Sequence, residues 1–186
     1  FAAMRALVQS ECDLLSNGGK LKAMCPAGGT ADIPAEILEA QGGEVHGLKC
    51  VGAWVAPNTA AGDAYIAEGL ACKLASRLGP LDEIDQMVNT EREQDVAQLR
   101  YNFIKRCANA IPNYWKRIIK PSIAREVMRT VADARLEQSM IKLAQADDSP
   151  PAVVERWLRE VPLSTASGGE GVGGHAEECD PCYAAA

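Results

Sequence analysis

Aromatic residues are scarce in this chain: two Phe, three Trp and four Tyr make up 5% of 186 residues. A core built from this composition rests on Leu, Ile, Val, Ala and Met. No uncharged apolar run approaches the roughly 20 residues that a membrane span needs. No signal-peptide pattern opens the chain either, because Arg5 and Glu11 interrupt its first amphipathic stretch. The seven cysteines are odd in number and irregular in spacing, which argues against a disulfide framework and for reduced thiols inside a cell, in the nucleus or cytoplasm. A complete catalytic constellation is also lacking.

What is present is an ordinary globular balance, with 47% hydrophobic and 24% charged residues. The formal net charge of −6 gives no global attraction to nucleic acid or to membrane. The chain begins with Phe, inside a helical pattern, and reads as a piece of something longer.

The patterning predicts an α+β chain in three parts. Residues 1–57 hold a short N-terminal helix and small antiparallel strands. Residues 58–161 form a mostly helical bundle, and the Gly-rich residues 162–186 form a loose tail. In the first part, Met4, Leu7, Val8, Cys12 and Leu15 recur at helical spacing until Asn17-Gly18-Gly19. Lys20 to Cys25 alternates as a short strand, and a helix runs from Ile33 to Ala40 with Pro34 at its start. Val45 and Leu48 to Val55 read as strands around a turn at Gly47.

Helix then dominates. Ala60 to Leu78 carries apolar residues at Ala64, Ala67, Leu70, Ala71, Leu74 and Leu78 and stops at Gly79-Pro80. Thr90 and Glu93 have capping-box spacing and open a helix to about Ala110, with Val96, Leu99, Phe103 and Cys107 as its apolar stripe. Pro121 opens the longest helix, to about Ala146. Its wide face carries Ile123, Val127, Val131 and Ala134, beside Met128, Leu136, Met140 and Leu143. After Asp147-Asp148-Ser149-Pro150, a short helix from Pro151 carries Val154, Trp157, Leu158 and Val161.

Charge is unevenly spread. From Arg100 to Arg135 the cations are Arg100, Lys105, Arg106, Lys116, Arg117, Lys120, Arg125, Arg129 and Arg135, opposed only by Glu126 and Asp133. Such a segment suits a surface that tracks phosphates, and Tyr101, Tyr114 and Trp115 are interleaved for stacking. The plainer reading is two solvated helix faces. His175, Cys179 and Cys182 supply three ligands where structural zinc takes four, so the plainer reading is two free cysteines in a loop with no metal, and a small C-terminal zinc module is the alternative.

Asn17-Gly18-Gly19-Lys20-Leu21-Lys22-Ala23-Met24 resembles the palm segment of reverse transcriptases from non-LTR retrotransposons. Lys49-Cys50-Val51-Gly52 is similar to that family's primer-grip hairpin, with Cys and Val where Tyr and Leu are usual. Arg106, Tyr114, Arg117 and Pro121 look like the thumb pattern Arg…Tyr…Arg…Pro-Pro, with Ser122 replacing the second Pro. Val161-Pro162-Leu163 and Gly168-Gly169-Glu170-Gly171-Val172 resemble the stretch before an Ala-rich helix, which Tyr183-Ala184-Ala185 would begin.

The resemblance implies a primer–template-positioning fragment of an RNA-directed DNA polymerase, inactive alone. Its parent would use Mg2+ and deoxynucleoside triphosphates, on aspartates that precede this segment. Asp147-Asp148 lacks flanking apolar strands and reads as a cap and linker. Lys20 takes the catalytic place beside the triphosphate. Lys49, Gly52, Arg106, Lys116, Arg117, Lys120, Arg125 and Arg129 are the nucleic-acid contacts the resemblance implies. The rival reading is a non-catalytic helical interaction or scaffold module. It draws on the acidic net charge, the Ala-rich helices and the missing catalytic residues.

Overall fold

A computed structural model describes residues 22–25, 28–50, 52–86, 93–145 and 150–186. The chain divides into two compact units, Phe1–Tyr65 and Ile66–Ala186. The N-terminal helix, Lys20, the Thr90 capping box and Asp147-Asp148 all lie outside the described residues.

In the first unit, α1 (Ala35–Gln41) follows Pro34, whose extended ψ of 138° places it just before the helix rather than in it. Gly43 N–H donates to Leu38 O at 2.8 Å and Gly42 N–H to Glu39 O at 3.2 Å, which satisfies carbonyls that the helix end leaves open. Gln41 ties this end to residues 22–25. Its Oε1 accepts from Ala23 N–H at 2.8 Å, and its Nε2 donates to Gly43 O at 2.8 Å. Residues 22–25 themselves are not in a strand.

The strands among the described residues are β1 (Leu48–Cys50) and β2 (Ala53–Val55), antiparallel with Leu48 opposite Val55 and Cys50 opposite Ala53. The sequence pattern predicts a turn at Gly47; it falls instead between Cys50 and Ala53, so 48–55 is itself the hairpin. Gly52 takes a φ of +86°, open to Gly at little cost. Gly47 is buried for another reason: a Cβ there would overlap the ring of Tyr65. Thr59 then starts α2 (Ala60–Leu78), its Oγ1 accepting from Gly62 N–H at 3.1 Å.

In the second unit, the later part of α2 buries Leu70, Leu74 and Leu78, as the four-residue spacing predicts. Next come α3 (Pro80–Gln86) and α4 (Glu93–Arg106). Over residues 97–106 of α4 the buried positions are Arg100 and Ile104, continued by Ala108, while Leu99 is 53% exposed and Cys107 is also exposed. The helix is thus turned by one residue, about 100°, from the apolar stripe read in the sequence. Arg100 lines the buried side because its guanidinium reaches Ile84 O at 3.5 Å, in the last turn of α3, where carbonyls lack helical partners.

A 3₁₀ turn (Ala108–Ala110) and α5 (Asn113–Ile118) lead to a long rod over residues 121–145. The rod comprises α6 (Pro121–Val127), a π segment (Met128–Asp133) and α7 (Ala134–Gln145). Its buried line is Ala124, Met128, Ala132, Leu136 and Met140, a repeat of four. In a regular α-helix each step of four overshoots a turn by about 40°. The wider π turn takes that overshoot back and keeps the line facing the core. Val131 and Ala134, assigned to the apolar face in the sequence, are half-buried and exposed. α3 and α4 pack on α7, and so does α8 (Pro151–Glu160), which is followed by a 3₁₀ turn (Thr165–Ser167).

The later part of the closing segment packs on the helices. α9 (Cys179–Ala184) packs on α5 and α6, and Val172, Ala176 and Cys179 are buried. Gly171 N–H donates to Leu163 O at 2.8 Å and Val172 N–H to Val161 O at 3.1 Å. Gly169 serves close approach: a Cβ there would overlap the carbonyl oxygens of Leu163 and Glu160.

Candidate nucleic-acid interface

The basic stretch is spread over α4, α5, α6, the π segment and the start of α7. Segment 162–186 has four acidic residues and no Lys or Arg. Each of those acids meets a cation of the stretch. Glu170 lies 2.6 Å from Lys105, Glu177 3.9 Å from Arg129, and Glu178 and Asp180 pair with Lys116 and Arg125. The signal was legible as charge complementarity, but the Gly-rich composition of the segment hid it.

Lys116, expected on a phosphate, is the clearest departure. It is 1% exposed, in α5. Its ammonium lies 3.0 Å from His175 Nδ1 and donates to Glu178 Oε2. Burial, then the Lys116 charge, pulls the His175 pKa down to about 4, with Glu178 opposing. The ring is therefore neutral at neutral pH. An ammonium only donates, so Nδ1 accepts and the ring proton sits on Nε2, which is buried without a protein partner.

The loop that delivers His175 is fixed at each end. Asn109, in the 3₁₀ turn, donates to Gly171 O at 2.8 Å and accepts from Gly173 N–H at 2.9 Å. Gly173 and Gly174 take φ of +83° and +72°, a pair of left-handed residues that few other side chains tolerate. Asp133, last in the π segment, accepts from the N–H groups of His175 at 2.9 Å and Ala176 at 3.0 Å. It thereby fixes the turn that precedes α9. Burial raises the Asp133 pKa, and the two amide bonds offset part of that.

Cys179 donates from Sγ to His175 O at 3.2 Å, and burial pushes its thiol up to about 11. A protonated thiol turned toward a carbonyl is a poor zinc ligand. No group of three His, Cys, Asp or Glu among the described residues is placed to hold a metal ion.

Other predicted contacts remain on the solvent side. Arg106 ends α4 and Arg117 lies on α5, both exposed and in no ion pair among the described residues. Lys120 is exposed just before Pro121. Tyr114 is 52% exposed, one turn before Arg117 and Ile118 on α5. The ring of Trp115 meets it edge-on at 5.9 Å. Trp115 itself is buried, and Tyr101 donates to Glu170 at 2.5 Å, so Tyr114 is the aromatic of this stretch left for stacking. Arg125 and Arg129 are exposed but paired.

In the hairpin, Lys49 is exposed on β1 with its ammonium 5.6 Å from the ring centre of its cross-strand partner Trp54. Gly52 is exposed, and a Cβ there would meet nothing within 4 Å, so close packing inside this chain does not require glycine. No helix among the described residues is long and apolar enough to cross a membrane. No family model, curated protein or solved structure matches this chain.

Proposed function

We propose that this chain is part of an RNA-directed DNA polymerase of the non-LTR retrotransposon kind and holds the primer–template by its backbone. The observation that carries this reading is Tyr114 and Arg117, exposed about one turn apart on α5, with Arg106 exposed in the same unit. A ring and two guanidinium groups suit a strand whose bases stack and whose phosphates are neutralised. The primer-grip-like hairpin supplies Lys49 and an exposed Gly52 in the other unit. Metal-assisted nucleotide addition would rest on aspartates and Mg2+ supplied by the rest of the parent. This chain contributes positioning, and Lys20 is the residue assigned to the triphosphate.

The test is binding of a primed RNA–DNA hybrid over a range of salt. Affinity that falls steeply with salt, with a slope reduced by about 0.7–0.9 for each of Arg106→Gln and Arg117→Gln, supports the reading. No binding at low salt by a folded chain overturns it.

A second reading has its own support. Lys116, Arg125 and Arg129 are engaged by Glu178, Asp180 and Glu177. A chain that spends its cations internally fits a non-catalytic helical interaction module, which would bind protein and show no salt-dependent affinity for the hybrid.

A further inference from the structure

The four acid–cation pairs of segment 162–186 differ in what surrounds them. Lys116 and Glu178 sit over buried ground: Lys116 and His175 are nearly sequestered, and Val172, Ala176 and Cys179 lie in the core. Two other pairs sit in solvent. Arg125 with Asp180, and Arg129 with Glu177, expose about half or more of each side chain. Arg129 is also shared with Glu126 at 3.1 Å. Arg125 and Arg129 are four residues apart, at one-turn spacing, and Glu177 and Asp180 are three apart on the turn that faces them. Each of these two arginines thus already faces a carboxylate of the closing segment.

We infer that the C-terminal segment is a built-in competitor for the basic face. Its buried part anchors it, and Glu177 and Asp180 hold Arg125 and Arg129 away from nucleic-acid phosphates. This rests on the proposed nucleic-acid role and adds a regulation to it. Exposed ion pairs are weakly held and exchange readily. A polyanion of higher charge density therefore displaces these two carboxylates at a cost in affinity, while the anchor stays in place. The competitor lowers affinity without abolishing it, because Arg106 and Arg117 lie outside its reach.

The test compares the full chain with E177Q/D180N, using a labelled primed RNA–DNA hybrid titrated at several salt concentrations. Glu83 and Glu137 are exposed acids of the same unit, and E83Q/E137Q controls for the change in net charge. The expected result is a salt slope steeper by about 1.5 and affinity about tenfold tighter near 50 mM salt for E177Q/D180N, with the control close to the parent chain. Equal slopes for parent and variant, with both folded, overturn the competitor and leave the nucleic-acid role standing. A control that gains as much as the variant also overturns it, since bulk charge would then account for the change. Absence of binding by all three overturns both. Should the double variant melt early, Asp180→Asn alone is expected to steepen the slope by about 0.7, and no change there overturns the inference.

Discussion

The ammonium of Lys116 lies 3.0 Å from Nδ1 of His175, and both side chains are almost wholly withdrawn from water. The two residues are 59 apart in the chain and join α5 to the closing segment. The cation sustains burial because Glu178 reaches it from the partly exposed side. Breaking such an arrangement from one end leaves the other polar groups without partners.

His175 has a folded pKa near 4 against an ordinary 6.5, so the unfolded chain takes up its proton first. Stability from this group is complete above about pH 6.5 and is lost as pH falls toward 4. The loss is on the order of 3 kcal/mol at full extent. Asp133 opposes it, since a raised carboxyl pKa favours the folded state as that group protonates. His175→Gln, which keeps an acceptor but does not titrate, is expected to flatten the urea-measured stability between pH 4 and 6.5.

Lys116→Met removes the charge that helps hold the imidazole neutral. The expected outcome is a His175 pKa above 4 by proton NMR, with a stability loss of about 1–3 kcal/mol as Nδ1 loses its donor. An unchanged His175 pKa would contradict direct contact between the ammonium and the ring.

Asp133 supplies both acceptors for the N–H groups of His175 and Ala176. Asp133→Ala is expected to cost about 1–3 kcal/mol and to loosen the closing segment first. Hydrogen exchange at those two amides is the measurement. Asp133→Asn keeps one carbonyl acceptor and is expected to cost less.

The Cys179 thiol, pushed up to about 11 and bonded to His175 O, is expected to resist alkylation at pH 8 in the folded chain. Cys72 and Cys107 are exposed and are expected to react well before it. Mass spectrometry of partially alkylated protein orders the sites. Early labelling of Cys179 would mean that the closing segment opens.

Tyr114→Ala and Arg117→Gln separate stacking from charge. The tyrosine change is expected to weaken hybrid binding by about 1–3 kcal/mol per base stacked while leaving the salt slope unaltered. The arginine change is expected to reduce that slope by about 0.7–0.9. Parallel effects on both quantities would argue against a stacking role for Tyr114.

Local chemistry alone determined the helix from Ala60 to Leu78, whose apolar spacing and Gly79-Pro80 stop are carried within a few residues of each position. It also determined the start of the rod at Pro121, the helix after Pro150 and extended backbone around Lys49, though not where the hairpin turns. Tertiary structure decided the rest. It turned α4 to bury Arg100, because a carbonyl end of α3 lies within reach. It inserted the π turn that keeps a four-residue repeat on one side of the rod. It drew Lys116 out of the basic surface and set Glu170, Glu177, Glu178 and Asp180 against distant cations. Helical periodicity is written in neighbours three and four residues apart. Ion pairs that span some fifty to sixty-five residues exist only once the chain has closed on itself.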